Sequence, residues 1–91
     1  MKLIIAVVQN HDADDVVDAL VQAEYRATRF ASTGGFLRRG NTTIMIGVQD
    51  QQVDHVIDVL RGAVHPSSDS KVEGQAAATV FVLDLEEYQR L

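Results

Sequence analysis

The chain has 91 residues, a formal charge of −5 at neutral pH and no cysteine. That length supports one hydrophobic core, hence a single domain over residues 1–91, and the missing thiols exclude disulfides, thiolate metal sites and thiol catalysis. The acidic balance argues against DNA or RNA, whose backbone needs a cationic surface.

No apolar run approaches the ~20 residues of a membrane helix, and the first residues lack the basic region, long apolar stretch and cleavage site of a signal peptide. The expectation is a cytoplasmic protein without membrane insertion. Residues 2–8 form a continuous, β-branched apolar run, short enough for a buried central strand. Residues 9–12 then read as a turn and helix start, with Asn10 or Asp12 available to cap exposed N–H groups. Asp14 and Asp15 suit the positive end of the helix dipole. Ala13, Val16, Val17, Leu20 and Val21 recur at helical spacing on one face, with Asp14, Asp15, Asp18 and Gln22 on the other. Those carboxylates point outward instead of converging, so they predict a solvated face and no metal site.

Residues 25–33 alternate and contain Tyr, Thr and Phe, which predicts a second strand with Arg26, Thr28 and Phe30 on one face. Residues 41–48 read as a third strand, Ile44, Ile46 and Val48 on one side and Thr43, Met45 and Gly47 on the other. Gly47 interrupts an apolar side, which marks either ligand access or a close crossing of another element. A second helix over residues 50–62 follows, Asp50 as its cap and Val53, Val56, Ile57 and Leu60 as its apolar face. His55 lies off that face and, like His11 and His65, receives no role. Residues 64–75 hold Pro66 and Gly74 without apolar periodicity and read as a loop that closes over a ligand, meets a partner or simply links. Residues 77–85 give a last strand, and residues 86–91 a tail whose Tyr88 and Leu91 can dock on the body.

The order βαββαβ, two similar βαβ halves, is that of a ferredoxin-like sandwich: an α+β fold with an antiparallel sheet and two helices on one face. Its other face is left uncovered, which favours self-association, and trimers that pack their sheets together are one solution.

Between the second and third strands lies Ser32-Thr33-Gly34-Gly35-Phe36-Leu37-Arg38-Arg39-Gly40-Asn41-Thr42-Thr43. Glycines let backbone N–H groups approach a ligand, and guanidinium forks match phosphate oxygens in pairs. A Gly-Gly pair followed by Gly-Asn is also an ordinary hairpin connection, and pattern alone favours that simpler reading. Arg26, Arg29, Arg38 and Arg39 fall within fourteen residues, a basic spot on an acidic body that suits a small anion better than a long polyanion. No Ser/His/Asp constellation, metal-ligand spacing or Walker-type loop is present, so no enzymatic activity is expected.

The opening residues 1–9, Tyr25-Arg26-Ala27-Thr28, the block Thr33-Gly34-Gly35-Phe36-Leu37-Arg38 with Gly40-Asn41-Thr42-Thr43, Gly47-Val48 and Ala78-Thr79-Val80-Phe81-Val82-Leu83 resemble the cyclic-di-AMP receptor family of PII-like signal-transduction proteins. The resemblance implies a ferredoxin-like homotrimer that catalyses no reaction, with the nucleotide held between neighbouring subunits and mobile loops reporting occupancy to a downstream protein. It further implies that Arg26 and Thr28 approach the phosphate and ribose, and that Gly35, Phe36, Leu37 and Arg38 shape the base pocket. Asn41 would hydrogen-bond the ligand and Gly47 would give it room. Three features depart from the family pattern: the region between the second helix and the last strand is much shorter, Glu24 replaces a neutral polar residue, and Arg39 replaces a small one. The shortened region leaves an alternative, a PII-like regulator of another adenine nucleotide or one acting only through a protein partner.

Overall fold

The computed structural model describes residues 1–31, 40–64 and 78–86. Its elements run β1 (Lys2–Gln9), α1 (Asn10–Gln22), β2 (Ala27–Ala31), β3 (Asn41–Val48), one 3-10 turn (Asp50–Gln52), α2 (Val53–Ala63) and β4 (Ala78–Asp84). The four strands make one antiparallel sheet in the order β2-β3-β1-β4. With both helices this is the ferredoxin-like α+β sandwich that the sequence predicts.

Strand alternation decides what each side of the sheet does. In β1, Ile4, Ala6 and Val8 are buried, and across the ladder so are Ile44, Ile46 and Val48 of β3. Ala13, Val16 and Leu20 of α1 and Val56, Leu60 and Ala63 of α2 close over them to complete the core. Each Val, Leu or Ile among them contributes about 1.5–3 kcal/mol by leaving water. Val21 does not join them: it is 60% exposed. Eight residues at 100° apiece set it about 80° round the helix from Ala13, at the margin of the apolar stripe.

The helix starts differ from expectation. β1 runs into α1 with no intervening turn, so Gln9 takes the N-cap position without a side-chain hydrogen bond and Asn10 is already helical. Asp12 is wholly buried in the first turn, with its Oδ2 3.5 Å from His11 Nε2. Asp50 does not cap α2 either. Gln49 and Gln52 form a reciprocal capping box ahead of the 3-10 turn, while Asp50 lies 3.2 Å from the Met1 amino group.

β2 is shorter than its pattern, because the end of α1 holds the residues before it. Glu24 N–H donates to Val21 O and Tyr25 N–H to Leu20 O, both at 2.9 Å, with Glu24 at φ 67°. This is a Schellman closure of the helix. The ladder with β3 therefore begins at Ala27. The distal part of the predicted strand, residues 32–33, most of the 64–75 loop, Ala77, Tyr88 and Leu91 lie outside the described residues.

Candidate functional site

With both helices on one side, no described element covers the other side of the sheet. It carries Leu3, Ile5 and Val7 of β1, Thr43, Met45 and Gly47 of β3, Thr28 and Phe30 of β2, and Phe81 and Leu83 of β4. Phe30 is 46%, Phe81 52% and Leu83 47% exposed, a large apolar area for a chain of this size.

The sequence-predicted site residues on this face fall into two groups. Thr28 is exposed and pairs with Met45. Arg26, also exposed, directly precedes β2, and one further step of the register sets it opposite Gly47. A Cβ built on Gly47 meets nothing within 4 Å, so no element crosses close above it among the described residues. No described element therefore gives the close crossing that would explain this glycine. Arg26, Thr28 and Gly47 share an end of the open face where a cation and a hydroxyl border free space.

Asn41 stands at the opposite end. It is half-buried and pairs with Gln9, six residues along β3 from Gly47, or about 20 Å at strand rise. Gly40 enters this end at φ +90°, a conformation that favours glycine, and its carbonyl accepts from Asn10 N–H at 2.7 Å. With its nitrogen turned toward β3, the Asn10 side-chain amide donates to Thr42 Oγ1 at 2.6 Å, Asn41 O at 3.2 Å and Gly40 O at 3.3 Å. The reverse orientation would aim one carbonyl at another. Asn10 is therefore not a helix cap but the clasp that fixes the start of β3. Nearby Gln9 Oε1 and Thr43 Oγ1 are buried with no hydrogen-bond partner among the described residues, two polar atoms that sequence reasoning passed over.

Gly35, Phe36, Leu37 and Arg38 lie outside the described residues, as does Arg39. Residues that flank the two internal undescribed segments lie at the Asn41 end: Ala31 pairs with Thr42 and Ala78 with Val8. Arg29 leaves the expected basic spot. Three residues from Arg26, it falls on the helix side of the sheet and donates to Asp14 Oδ1 of α1 at 2.7 Å.

The end of the molecule beyond Arg26 holds two contacts that the sequence did not announce. The Tyr25 hydroxyl lies 2.5 Å from His55 Nδ1 of α2. Lys2 of β1 donates to Asp84 of β4. That hydrogen bond is the main reason the Lys2 ammonium is held above its ordinary range and the Asp84 carboxyl below its own. On the helix side, an open groove of about 360 Å³ runs between α2 and β4, lined by Ile57, Leu60, Arg61, Val64, Ala78 and Val80. Among the described residues, its lining does not bring together the converging polar groups of a nucleotide pocket. Among the described residues no three His, Asp or Glu side chains gather to hold a metal ion, and no helix is long and apolar enough to cross a membrane.

The fold thus defines a small ferredoxin-like domain in which Arg26 and Thr28 stand on a sheet face that no described helix covers. Residues 1–76 match the family model described as cyclic-di-AMP receptor, and the chain belongs to that family. It is also similar to the crystal structure of a functionally unknown protein from Pediococcus pentosaceus ATCC 25745. Identity is 37%, covering 99% of this chain and 96% of that one, with a TM-score of 0.77.

Proposed function

We propose that this chain is a PII-like cytoplasmic signalling protein that binds cyclic-di-AMP in clefts between copies of itself, as a homotrimer, and relays occupancy through mobile loops to a downstream protein. It performs no reaction on the nucleotide. Arg26 and Thr28 meet the phosphate and ribose, Asn41 hydrogen-bonds the ligand, Gly47 leaves room for it, and Gly35, Phe36, Leu37 and Arg38 form the base pocket. Guanidinium and hydroxyl groups suit phosphodiester oxygens, and an aromatic with an aliphatic side chain suits a purine face.

The observation that carries this reading, beside family membership, is the separation of the two ends of the open face. Arg26 and Gly47 stand about 20 Å along β3 from Asn41. A ligand whose phosphate meets the first end while its base meets residues flanking the second is better served by two chains than by one. The uncovered Phe30, Phe81 and Leu83 supply the reason for chains to associate.

The shortened region before β4 favours a second reading, a regulator of another adenine nucleotide or one that acts through a protein partner alone. Calorimetric titration of the purified protein with cyclic-di-AMP, beside cyclic-di-GMP, ATP and AMP at physiological salt, separates the two. Selective binding near one ligand per chain, weakened in Arg26→Ala, supports the first. Preference for a mononucleotide, or no binding, selects the second.

A further inference from the structure

We propose that Tyr25 and His55 form a clamp that positions Arg26 for its ligand, which makes both of them positioning residues of the site. The inference rests on the reading that Arg26 meets the nucleotide phosphate.

Tyr25 stands where three elements meet. Its backbone N–H closes α1 on Leu20 O at 2.9 Å, and its side chain packs against the core. Its hydroxyl reaches His55 Nδ1 on α2 at 2.5 Å, thirty residues away in sequence, with ring centroids 5.6 Å apart and planes inclined by 53°. A neutral imidazole accepts from the hydroxyl at Nδ1, and a ring protonated there donates to the phenol oxygen; either arrangement keeps the link.

Arg26 is the one residue between this junction and Ala27, the first member of the β2–β3 ladder. Held on both sides, its backbone has few conformations left, and its long side chain leaves the sheet from a defined point. An arginine pre-set in this way loses less entropy when it meets an anion, which raises affinity without adding a contact. Without the hydroxyl-imidazole bond, the Tyr25 side of the junction keeps only its backbone bond and apolar packing. The sequence pattern hides this device, because His55 lies off the apolar face of α2 and reads as a solvated side chain.

The test combines Tyr25→Phe, His55→Gln and the double variant, each also made in an Arg26→Ala background. Cyclic-di-AMP affinity is read by calorimetry, and backbone hydrogen exchange is followed over residues 24–29. The clamp predicts that each single variant weakens binding about three- to tenfold, the range of one net hydrogen bond. The double variant should be no weaker than either single one, neither change should matter further once Arg26 is alanine, and exchange over residues 24–29 should quicken in both. Unchanged affinity and exchange would overturn it, as would a loss of the same size in the Arg26→Ala background, which would mark a general structural role. If the unsubstituted protein does not bind cyclic-di-AMP, the functional reading falls, and with it the clamp's role toward that ligand. The ligand-free exchange measurement then still decides whether the pair holds the Arg26 segment.

Discussion

Glu24 closes α1 by donating its backbone N–H to Val21 O at 2.9 Å while its own φ stands at 67°. The left-handed region costs an L-residue with a Cβ about 1–2 kcal/mol, and helices ordinarily place glycine or asparagine there. Glu24→Gly should therefore stabilise the fold by about 1 kcal/mol, less the extra freedom glycine gains in the unfolded chain. At fixed protein concentration the thermal midpoint should rise by a few degrees. A fall would mean that the Glu24 side chain makes a contribution its exposure does not suggest.

The Lys2–Asp84 pair predicts a pH dependence whose sign follows from its two shifts. The Asp84 carboxyl is lowered from its ordinary 3.8, first by the Lys2 hydrogen bond, so its contribution is present above that value and is lost as acid protonates it. The Lys2 ammonium is raised from 10.5 by the same bond, so its contribution is present below that value and is lost as alkali deprotonates it. Urea midpoints of the protein and of Lys2→Met should differ across the neutral range, the unsubstituted protein being more stable. The difference should begin to fall as the pH drops below about 3.8, vanish only in stronger acid that protonates the folded carboxyl as well, and shrink with added salt, because Asp84 is exposed. A difference that persists in strong acid would assign the loss to packing of the Lys2 stem.

Much of this fold was legible because its signals are local. The run Ile4, Ala6, Val8 and the alternation of Ile44, Ile46 and Val48 show directly which side of each strand is buried. Helix entries were less legible, since capping by Gln49 and Gln52 and the clasp made by Asn10 depend on which partner arrives in space. Arg29 was wrongly placed in the basic spot for a reason the sequence did contain: Arg26 and Arg29 are an odd number of residues apart and fall on opposite faces of a strand. The Tyr25–His55 contact had no such signal, because it depends on how α2 lies against the entry to β2. Of the candidate site, Arg26 and Thr28 were legible as one face of their strand, whereas their meeting with Gly47 and their distance from Asn41 needed the register.

The open face makes a prediction about assembly. Phe81 pairs with Ile5 at its middle and is 52% exposed. If copies of the chain cover one another there, Phe81→Glu buries an unpaired carboxylate, a penalty large enough to abolish association. Light scattering coupled to size exclusion should then give a trimer for the unsubstituted protein and the 10.0 kDa chain for the variant, with far-ultraviolet circular dichroism retained. Equal masses for both proteins would place the association surface elsewhere or remove it.

Gly47 separates the needs of the fold from those of the ligand. Its carbon is open to a side chain, with nothing within 4 Å of a Cβ, and its φ lies outside the left-handed region, so the strand itself does not require glycine. Gly47→Val should be neutral or slightly stabilising for the fold, because valine suits a strand and loses less backbone freedom on folding. Where a nucleotide occupies the space opposite Arg26, the same isopropyl group stands in its way. Urea unfolding should show a midpoint equal to or above that of the unsubstituted protein, while calorimetry shows cyclic-di-AMP binding weakened at least about tenfold, a loss of ~1.4 kcal/mol. Retained affinity together with retained stability would mean that the ligand does not use the space above Gly47, and Arg26 would then have to meet its anion from the β2 edge.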